Sequence, residues 1–286
     1  MANSYPITRW LLSRKDLFHP SFTQYGWPDK YLSSIFDFAA QIEFGGIIGR
    51  GRGTDFCSET SIEKASAEAI ERYLCKKLKM NSTGLSVSGR STSVEHAMGE
   101  ALERFYLFSH LDLKLPFIRC PDKLLEKLTL NSILREFEEK TQSVFVSFHQ
   151  MATRPGDSGI VCFIEDTKTN IFSFGFSYGQ NVELNLQRAF FEAVPNFIAL
   201  KEAHELSSTA QSKLQEDTTL WHLSEDFHSQ IMPLLFQDQP NQKSFFSTAI
   251  AYPSFEVTEI DIQSLGELKD CPIKPVRVSI KPRRDF

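Results

Sequence analysis

One thirteen-residue segment occurs twice in this chain. Residues 61–73 read SIEKASAEAIERY and residues 93–105 read SVEHAMGEALERF. Seven positions are identical and four more are conservative exchanges. A strand-like stretch precedes each copy, so the repeat reads as a strand–helix unit used twice. A chain built this way needs sheets on which two long helices can be laid.

The charges in the repeat carry the chemistry. Within residues 65–75 the only charged residues are Glu68, Glu71 and Arg72, and within 97–107 they are Glu100, Glu103 and Arg104. A solvated helix face carries a polar stripe. These helices are apolar nearly all round, which predicts that both are largely buried. Burying carboxylates is costly unless cations or strong hydrogen bonds compensate. Glu68 and Glu71, and likewise Glu100 and Glu103, lie on neighbouring parts of one helical surface. Four carboxylates against two arginines leave an acidic surplus. Magnesium would satisfy it, because Mg2+ prefers oxygen ligands and often brings phosphates with it. A structural ion-pair network is the alternative. A third helix echoes the pattern more weakly: VELNLQRAFFEA at 182–193 sets Arg188 four residues before Glu192.

The predicted elements are mixed. Residues 1–33 read as an irregular or partly helical lead-in, and 34–286 as a single domain. Residues 34–54 read as two or three short strands, 59–78 and 92–110 as helices, with a short strand at 81–89 between them. Residues 121–140 read as helix in two pieces, then strands at 143–152, 159–168 and 169–179. A helix over 181–204 is expected to be interrupted at Pro195. Closing strands are expected at 245–252, 255–262 and 274–281. The fold class is α+β, bordering on α/β: mixed β-sheets packed with long helices.

Composition excludes several classes. The net charge is -5, with no basic excess to suggest nucleic-acid binding. Cys57, Cys75, Cys120, Cys162 and Cys271 form no CxxC pair, which argues against structural zinc. No signal-peptide pattern or membrane-length apolar run is present, so a reduced cytoplasmic protein is the expectation. The stretch GIIGRGRG at 46–53 lacks the Gly-Lys-Ser/Thr end of a P-loop and reads as strand ends and a turn. Arg52 is kept as a candidate phosphate contact. The Phe excess, 25 residues, reads as a Phe-rich core.

At these residues the sequence resembles the YcaO family. Four parts occur in the family's order. A GKG-like stretch, GRG at 51–53, precedes the helix with AEAIER. An N-S-x-G-L segment (Asn81, Ser82, Gly84, Leu85) precedes the helix with GEALERF. A GFG-like strand (Phe174, Gly175, Phe176) leads to a helix with RAxxEA at Arg188 to Ala193. A late VRV strand (Val276, Arg277, Val278) comes before Pro282. The resemblance implies a YcaO-type ATP-binding fold with ATP and Mg2+ as cofactors. It implies phosphorylation of a peptide backbone amide, with cyclodehydration to an azoline or thioamide formation on a ribosomally made peptide. Glu68, Glu71, Glu100 and Glu103 would hold Mg2+. Arg72, Arg104 and Arg188 would neutralise phosphate oxygens or orient the carboxylates, and Glu192 would complete the site. Arg104, Arg188 and Glu192 would be the catalytic set.

The departures are specific. The family often has Ser where this chain has Lys64, and an acidic residue where it has Thr92. After Glu192 a Gln-rich stretch is replaced by VPNF. The chain ends at KPRRDF without a Pro-rich tail. The expectation is a compact standalone form served by a separate E1-like or TfuA-like partner that delivers peptide or sulfur, with a homodimer left open. The competing expectation is a non-catalytic scaffold that keeps the fold.

Overall fold

Two adjacent glycines with positive φ, Gly45 at 59° and Gly46 at 76°, turn residues 36–55 into one long hairpin. Positive φ at both central positions is what a tight hairpin with the right strand twist demands. The computed structural model of the chain describes residues 5–80, 85–86, 93–125, 130–205, 225–235 and 253–281. In chain order the elements are α1 (Pro6–Ser13), α2 (Lys15–Phe18), β1 (Ser21–Gln24), α3 (Trp27–Tyr31), β2 (Phe36–Phe44), β3 (Ile47–Asp55), α4 (Ser58–Lys77), β4 (Leu85–Ser86), α5 (Ser93–Asp112), β5 (Ile118–Arg119), α6 (Asp122–Leu125), α7 (Leu130–Thr141), β6 (Val144–Met151), β7 (Ser158–Asp166), β8 (Ile171–Gly179), α8 (Val182–Glu205), α9 (Glu225–Leu235), β9 (Ser254–Glu259), a 3-10 turn (Gly266–Leu268) and β10 (Val276–Lys281). The chain divides into two compact units, Met1–Ala101 with Pro253–Phe286, and Leu102–Tyr252. The division falls within α5.

In the first unit, β1, β2 and β3 form an antiparallel sheet in that order. Helix α4 lies directly on β3, and alternate glycines make this possible. A Cβ at Gly49, Gly51 or Gly53 would fall 2.1, 2.2 or 2.1 Å from the carbonyl oxygens of Ala69, Ala65 and Ser61. The two ladders keep step. Two strand residues advance about 6.6 Å, and four helix residues about 6 Å. These glycines therefore lie inside a strand, where they were expected to mark strand ends. The lead-in is more ordered than expected. Glu63 of α4 accepts the Ile7 and Thr8 amides, both at 2.9 Å, and the Thr8 hydroxyl at 2.6 Å. It thereby serves the bare first turn of α1. Strand β1 pairs along β2 from Ser21↔Gln41 to Gln24↔Phe38.

A second sheet of this unit has the order β4–β10–β9. Leu85 pairs with Arg277, and Val276 and Val278 pack against Ala97 and Ala101 of α5. The second copy of the repeat thus rests on the late VRV strand. Asn81, Ser82, Gly84 and Thr92 lie outside the described residues, as do residues 206–224 and the strand expected at 245–252.

The second unit is built on the antiparallel sheet β5–β6–β7–β8. Strand β7 is buried along nearly its whole length, because both its faces are covered. Val161, Phe163, Phe174 and Phe176 share one cluster with Leu107 of α5 and Ile231, Leu234 and Leu235 of α9. Side chains alternate across a strand, so Cys162, Ser173, Gly175 and Ser177 take the other face, where the Ser173 hydroxyl donates to the Ala193 carbonyl of α8. Phe137 of α7 meets Phe190 and Phe197 of α8 edge-on. Much of the Phe excess lies in this core. Helix α8 runs through the expected break at Pro195. Proline deletes one helical hydrogen bond, but Pro195 sits on the buried face among Val194, Phe197 and Ile198, and packing on the sheet holds the helix. No described helix is long and apolar enough to cross a membrane.

Candidate functional site

Strand β3 is the last strand of its sheet among the described residues, so alternate backbone groups face outward without a ladder partner. One stripe of α4, at intervals of four, meets them. The Lys64 ammonium donates to the Thr54 carbonyl at 3.2 Å, and the Lys76 ammonium to the Ile48 carbonyl at 2.8 Å. Between them the Arg52 amide donates to Glu68 Oε2 at 2.8 Å. Each charge matches its edge group: cations meet carbonyls and the carboxylate meets an N–H. Glu68 Oε1 faces Arg72 Nη2 at 3.3 Å.

Glu71 lies next to that stripe and is half-buried. Its pKa is pushed well above the usual carboxylate range. Burial is the main cause, Glu100 the next, and Glu68 adds to it, while Arg72 pulls the other way. Burial works against the Arg72 cation too, but Glu68, Glu71 and Glu100 outweigh it and hold its pKa above the ordinary value. Neighbouring Cys75 has its thiol pushed up to about 12, by burial first and then by Glu71, so it is an unreactive thiol at neutral pH. The structure thus brings Glu68, Glu71, Arg72 and Glu100 into one electrostatic cluster within the first unit. These side chains are half-buried, on helices that the apolar pattern predicted to be largely buried. Among the described residues no three acidic, His or Cys side chains form a ready metal cage.

Glu103 and Arg104 lie on the continuation of α5, in the second unit. Both are half-buried, and Arg104 Nη1 is buried with no hydrogen-bond partner among the described residues. Glu192 of the same unit repeats the role of Glu68. Its Oε2 accepts the Phe176 amide at 2.7 Å, and β8 is again a last strand among the described residues. A Cβ on Gly175 would fall 1.9 Å from the Ala189 carbonyl, as one on Gly51 would strike Ala65. Gly51–Arg52 against Ala65–Glu68–Ala69 is thus matched by Gly175–Phe176 against Ala189–Glu192–Ala193. The third helix is a structural copy of the first, with Pro195 and Asn196 in the places of Glu71 and Arg72. Arg188 is exposed and occupies the place of Lys64.

Arg52 is turned away from α4. Its guanidinium is held by Asp37, with Nε at 3.1 and 3.0 Å from the two oxygens and Nη2 at 2.6 Å. Strand parity explains this, since Gly51 and Gly53 face the helix and Arg52 must face the other way. Asp37 escaped the sequence reading, although a lone aspartate between two phenylalanines in FDFAA was a signal.

No protein-family model and no curated protein matches the sequence. Among solved structures, YcaO from Methanopyrus kandleri, bound with AMPPCP and Mg2+, is similar at TM-score 0.62 and 11% identity. The likeness covers 96% of this chain and 89% of that one. A heterocyclase in complex with substrate and cofactor is similar at TM-score 0.68 and 11% identity, over 98% of this chain. The chain has the YcaO fold. It spans about half, 52%, of the heterocyclase chain. Within this fold Glu68 and Glu192 meet strand edges, and Glu71 and Glu100 lie in each other's field.

Proposed function

We propose that this chain binds Mg–ATP through its repeated helices and uses it to phosphorylate a peptide backbone amide. The observation that carries the reading is the Glu71–Glu100 pair. Glu71, its pKa raised by burial and by the neighbouring Glu100, forms with it a place where a divalent cation is electrostatically welcome. The fit is by charge. Mg2+ keeps several waters and takes one or two carboxylates plus substrate phosphates, so no all-protein cage is needed. Glu71 and Glu100 would hold it, with Glu103 one turn further along α5. Glu68 has one oxygen committed to the Arg52 amide and keeps the other for Arg72 or the metal. When bound, Mg2+ would neutralise phosphate charge. Arg104, whose buried Nη1 has no hydrogen-bond partner among the described residues, suits a phosphate oxygen. Arg188 and Glu192 are the remaining members of the proposed catalytic set.

The peptide amide oxygen would attack the γ-phosphorus and ADP would leave. A nucleophile would add at the amide carbon before or during this step, and phosphate would then depart. A side-chain thiol or hydroxyl gives an azoline, and sulfide gives a thioamide. The protein's share is positioning and charge neutralisation. Support comes from the shared fold and from the ligands of the two solved relatives, AMPPCP with Mg2+ in one and substrate with cofactor in the other. A partner protein would present the peptide.

A second reading, a non-catalytic scaffold of the same fold, is favoured by one observation: Pro195 and Asn196 stand where the first helix has Glu71 and Arg72. Calorimetry of Mg–ATP binding separates the two. Binding that is lost in Glu71→Gln and Glu100→Gln supports the nucleotide site, and a wild type that binds nothing supports the scaffold.

A further inference from the structure

We infer that Asp37 is a positioning residue for the proposed nucleotide site, acting through the Arg52 backbone on Glu68. The inference rests on the Mg–ATP reading and adds a residue from the opposite face of the sheet. Asp37 is fully buried. Both of its oxygens grip the Arg52 guanidinium, one accepts the Trp27 indole N–H at 2.5 Å, and the other accepts the Thr54 hydroxyl at 3.1 Å. The free face of the Arg52 guanidinium lies over the Tyr25 ring, 4.6 Å from its centroid. The side chain of Arg52 is thus fixed on one face of β3, while its amide points off the strand edge to Glu68 Oε2. In an antiparallel ladder a residue either exchanges both hydrogen bonds with its opposite or points both groups outward. Arg52 stands opposite Ala39 in the outward position. The ladder points that N–H outward but gives it no partner strand, and the Asp37 clamp holds the residue that carries it.

The second unit makes the same strand–helix contact from an apolar strand residue. There the residue that offers its amide to the helix glutamate is Phe176, which is buried and stacks on Phe174. The strand residue that makes this contact therefore need not carry a charge. Burying an aspartate is costly unless every lone pair is used, and the first unit uses four donor groups to bury one. The unit with the expensive version is the one that carries the Glu68–Glu71–Arg72–Glu100 cluster. Glu68 bonds Arg72, and Arg72 in turn sits in the field of Glu71 and Glu100. Displacing the Arg52 amide would let the Glu68 carboxylate swing and rearrange the charges around the metal.

The test uses the full chain with Asp37→Asn and Arg52→Lys. Lysine keeps the charge and the backbone amide but loses the planar two-point grip. Two quantities are read: the Mg–ATP dissociation constant by calorimetry, and hydrogen exchange at the residue-52 amide under native conditions. Both variants are expected to speed exchange at residue 52 selectively, leaving the amides of α4 protected. Both are expected to weaken Mg–ATP binding by about tenfold to a hundredfold, the usual loss when a metal site's outer partners are removed. If Asp37→Asn does not fold, Arg52→Lys, at a partly exposed position, carries the test with Thr54→Val as its companion. Unchanged exchange at residue 52 overturns the clamp. Faster exchange with unchanged affinity overturns its service to the site. A wild type that binds no Mg–ATP overturns the nucleotide reading instead, and the exchange measurement still reports separately on the clamp.

Discussion

Glu68 Oε2 lies 2.8 Å from the amide nitrogen of Arg52, so one oxygen of a proposed metal ligand is already spent on a sheet edge. The same stripe places Lys64 and Lys76 on the carbonyls that flank this amide. An unsealed edge invites strand addition from other chains. Glu68→Gln keeps an acceptor for the amide and should leave the protein monodisperse. Glu68→Ala should expose the Arg52 N–H at a cost of about 1–3 kcal/mol and promote association. Light scattering of the two variants at equal concentration checks this, and identical behaviour would count against the edge-sealing role.

The glycine ladder is tested by substitutions with opposite signs. Gly51→Ala would drive a Cβ to 2.2 Å from the backbone oxygen of Ala65, which no side-chain movement relieves. The expected loss is about 3 kcal/mol, the upper end for overpacking. Gly99 lies in the second copy of the repeat, at the place Ala67 fills in the first, and a Cβ there meets nothing within 4 Å among the described residues. Gly99→Ala should stabilise α5 by about 0.5–1 kcal/mol. Denaturant unfolding of the pair gives both signs.

Glu71 should weaken the metal-free protein at neutral pH. Its folded pKa is raised, so the folded state prefers the protonated acid. That preference contributes fully below the unfolded carboxylate pKa and is lost as pH rises through the folded one. In the metal-free protein Glu71→Gln should therefore raise Tm by a few degrees at pH 7, and the gain should vanish near pH 4. An unchanged or lowered Tm at pH 7, with the fold intact, would mean that the carboxylate is already well served.

The three long helices were legible because each is a long run of mostly apolar, helix-favouring residues, and the repeat made two of them unmistakable. The β6–β7–β8 run was legible for a similar reason, with apolar stretches bounded by turn residues. The edge strand Ser21–Gln24 was not, because four short, mostly exposed residues carry no pattern. Helix α8 through Pro195 was misjudged because packing on a sheet outweighs one lost hydrogen bond. The charge cluster was legible in residue type. Its degree of burial was not, since Glu68 and Arg72 stay about a third exposed at the rim of their helix. The direction of Arg52 could have been read from parity, because glycines at 49, 51 and 53 assign it to the face opposite α4.

Two buried histidines set the acid limit of the second unit. His110 Nε2 accepts the Ala152 amide at 2.5 Å, which leaves Nδ1 to carry the proton toward the Leu115 carbonyl at 3.3 Å. Burial lowers its pKa to about 4, and burial with the nearby Arg119 charge does the same for His149. The unfolded chain binds these protons near pH 6.5. Stability should be highest above that value and fall between pH 6.5 and 4 as unfolding takes up about two protons at these groups. His110→Gln should be less stable at pH 8 yet show a shallower decline. Urea midpoints at pH 8, 6 and 5 measure both, and an undiminished slope in the variant would remove His110 from the account.

Arg104 and Arg188 should separate in their effects on catalysis. Arg104 has a buried nitrogen without a partner among the described residues, whereas Arg188 is exposed and stands in the place of Lys64. Lysine preserves charge but loses the planar fork, and a fork matters most where charge develops in the transition state. Arg104→Lys should cut peptide-dependent phosphate release by about tenfold or more while changing Mg–ATP affinity little, and Arg188→Lys should cut it less. The amide oxygen is the proposed phosphoryl acceptor, so turnover without peptide should be slow in all forms. Mass spectrometry of the peptide completes the assay: a loss of about 18 Da marks cyclisation and a gain of about 16 Da marks oxygen-to-sulfur exchange. Equal losses in both variants would place Arg188 at the phosphates after all, and an unmodified peptide with flat turnover, with the partner present, would move the protein to the scaffold reading.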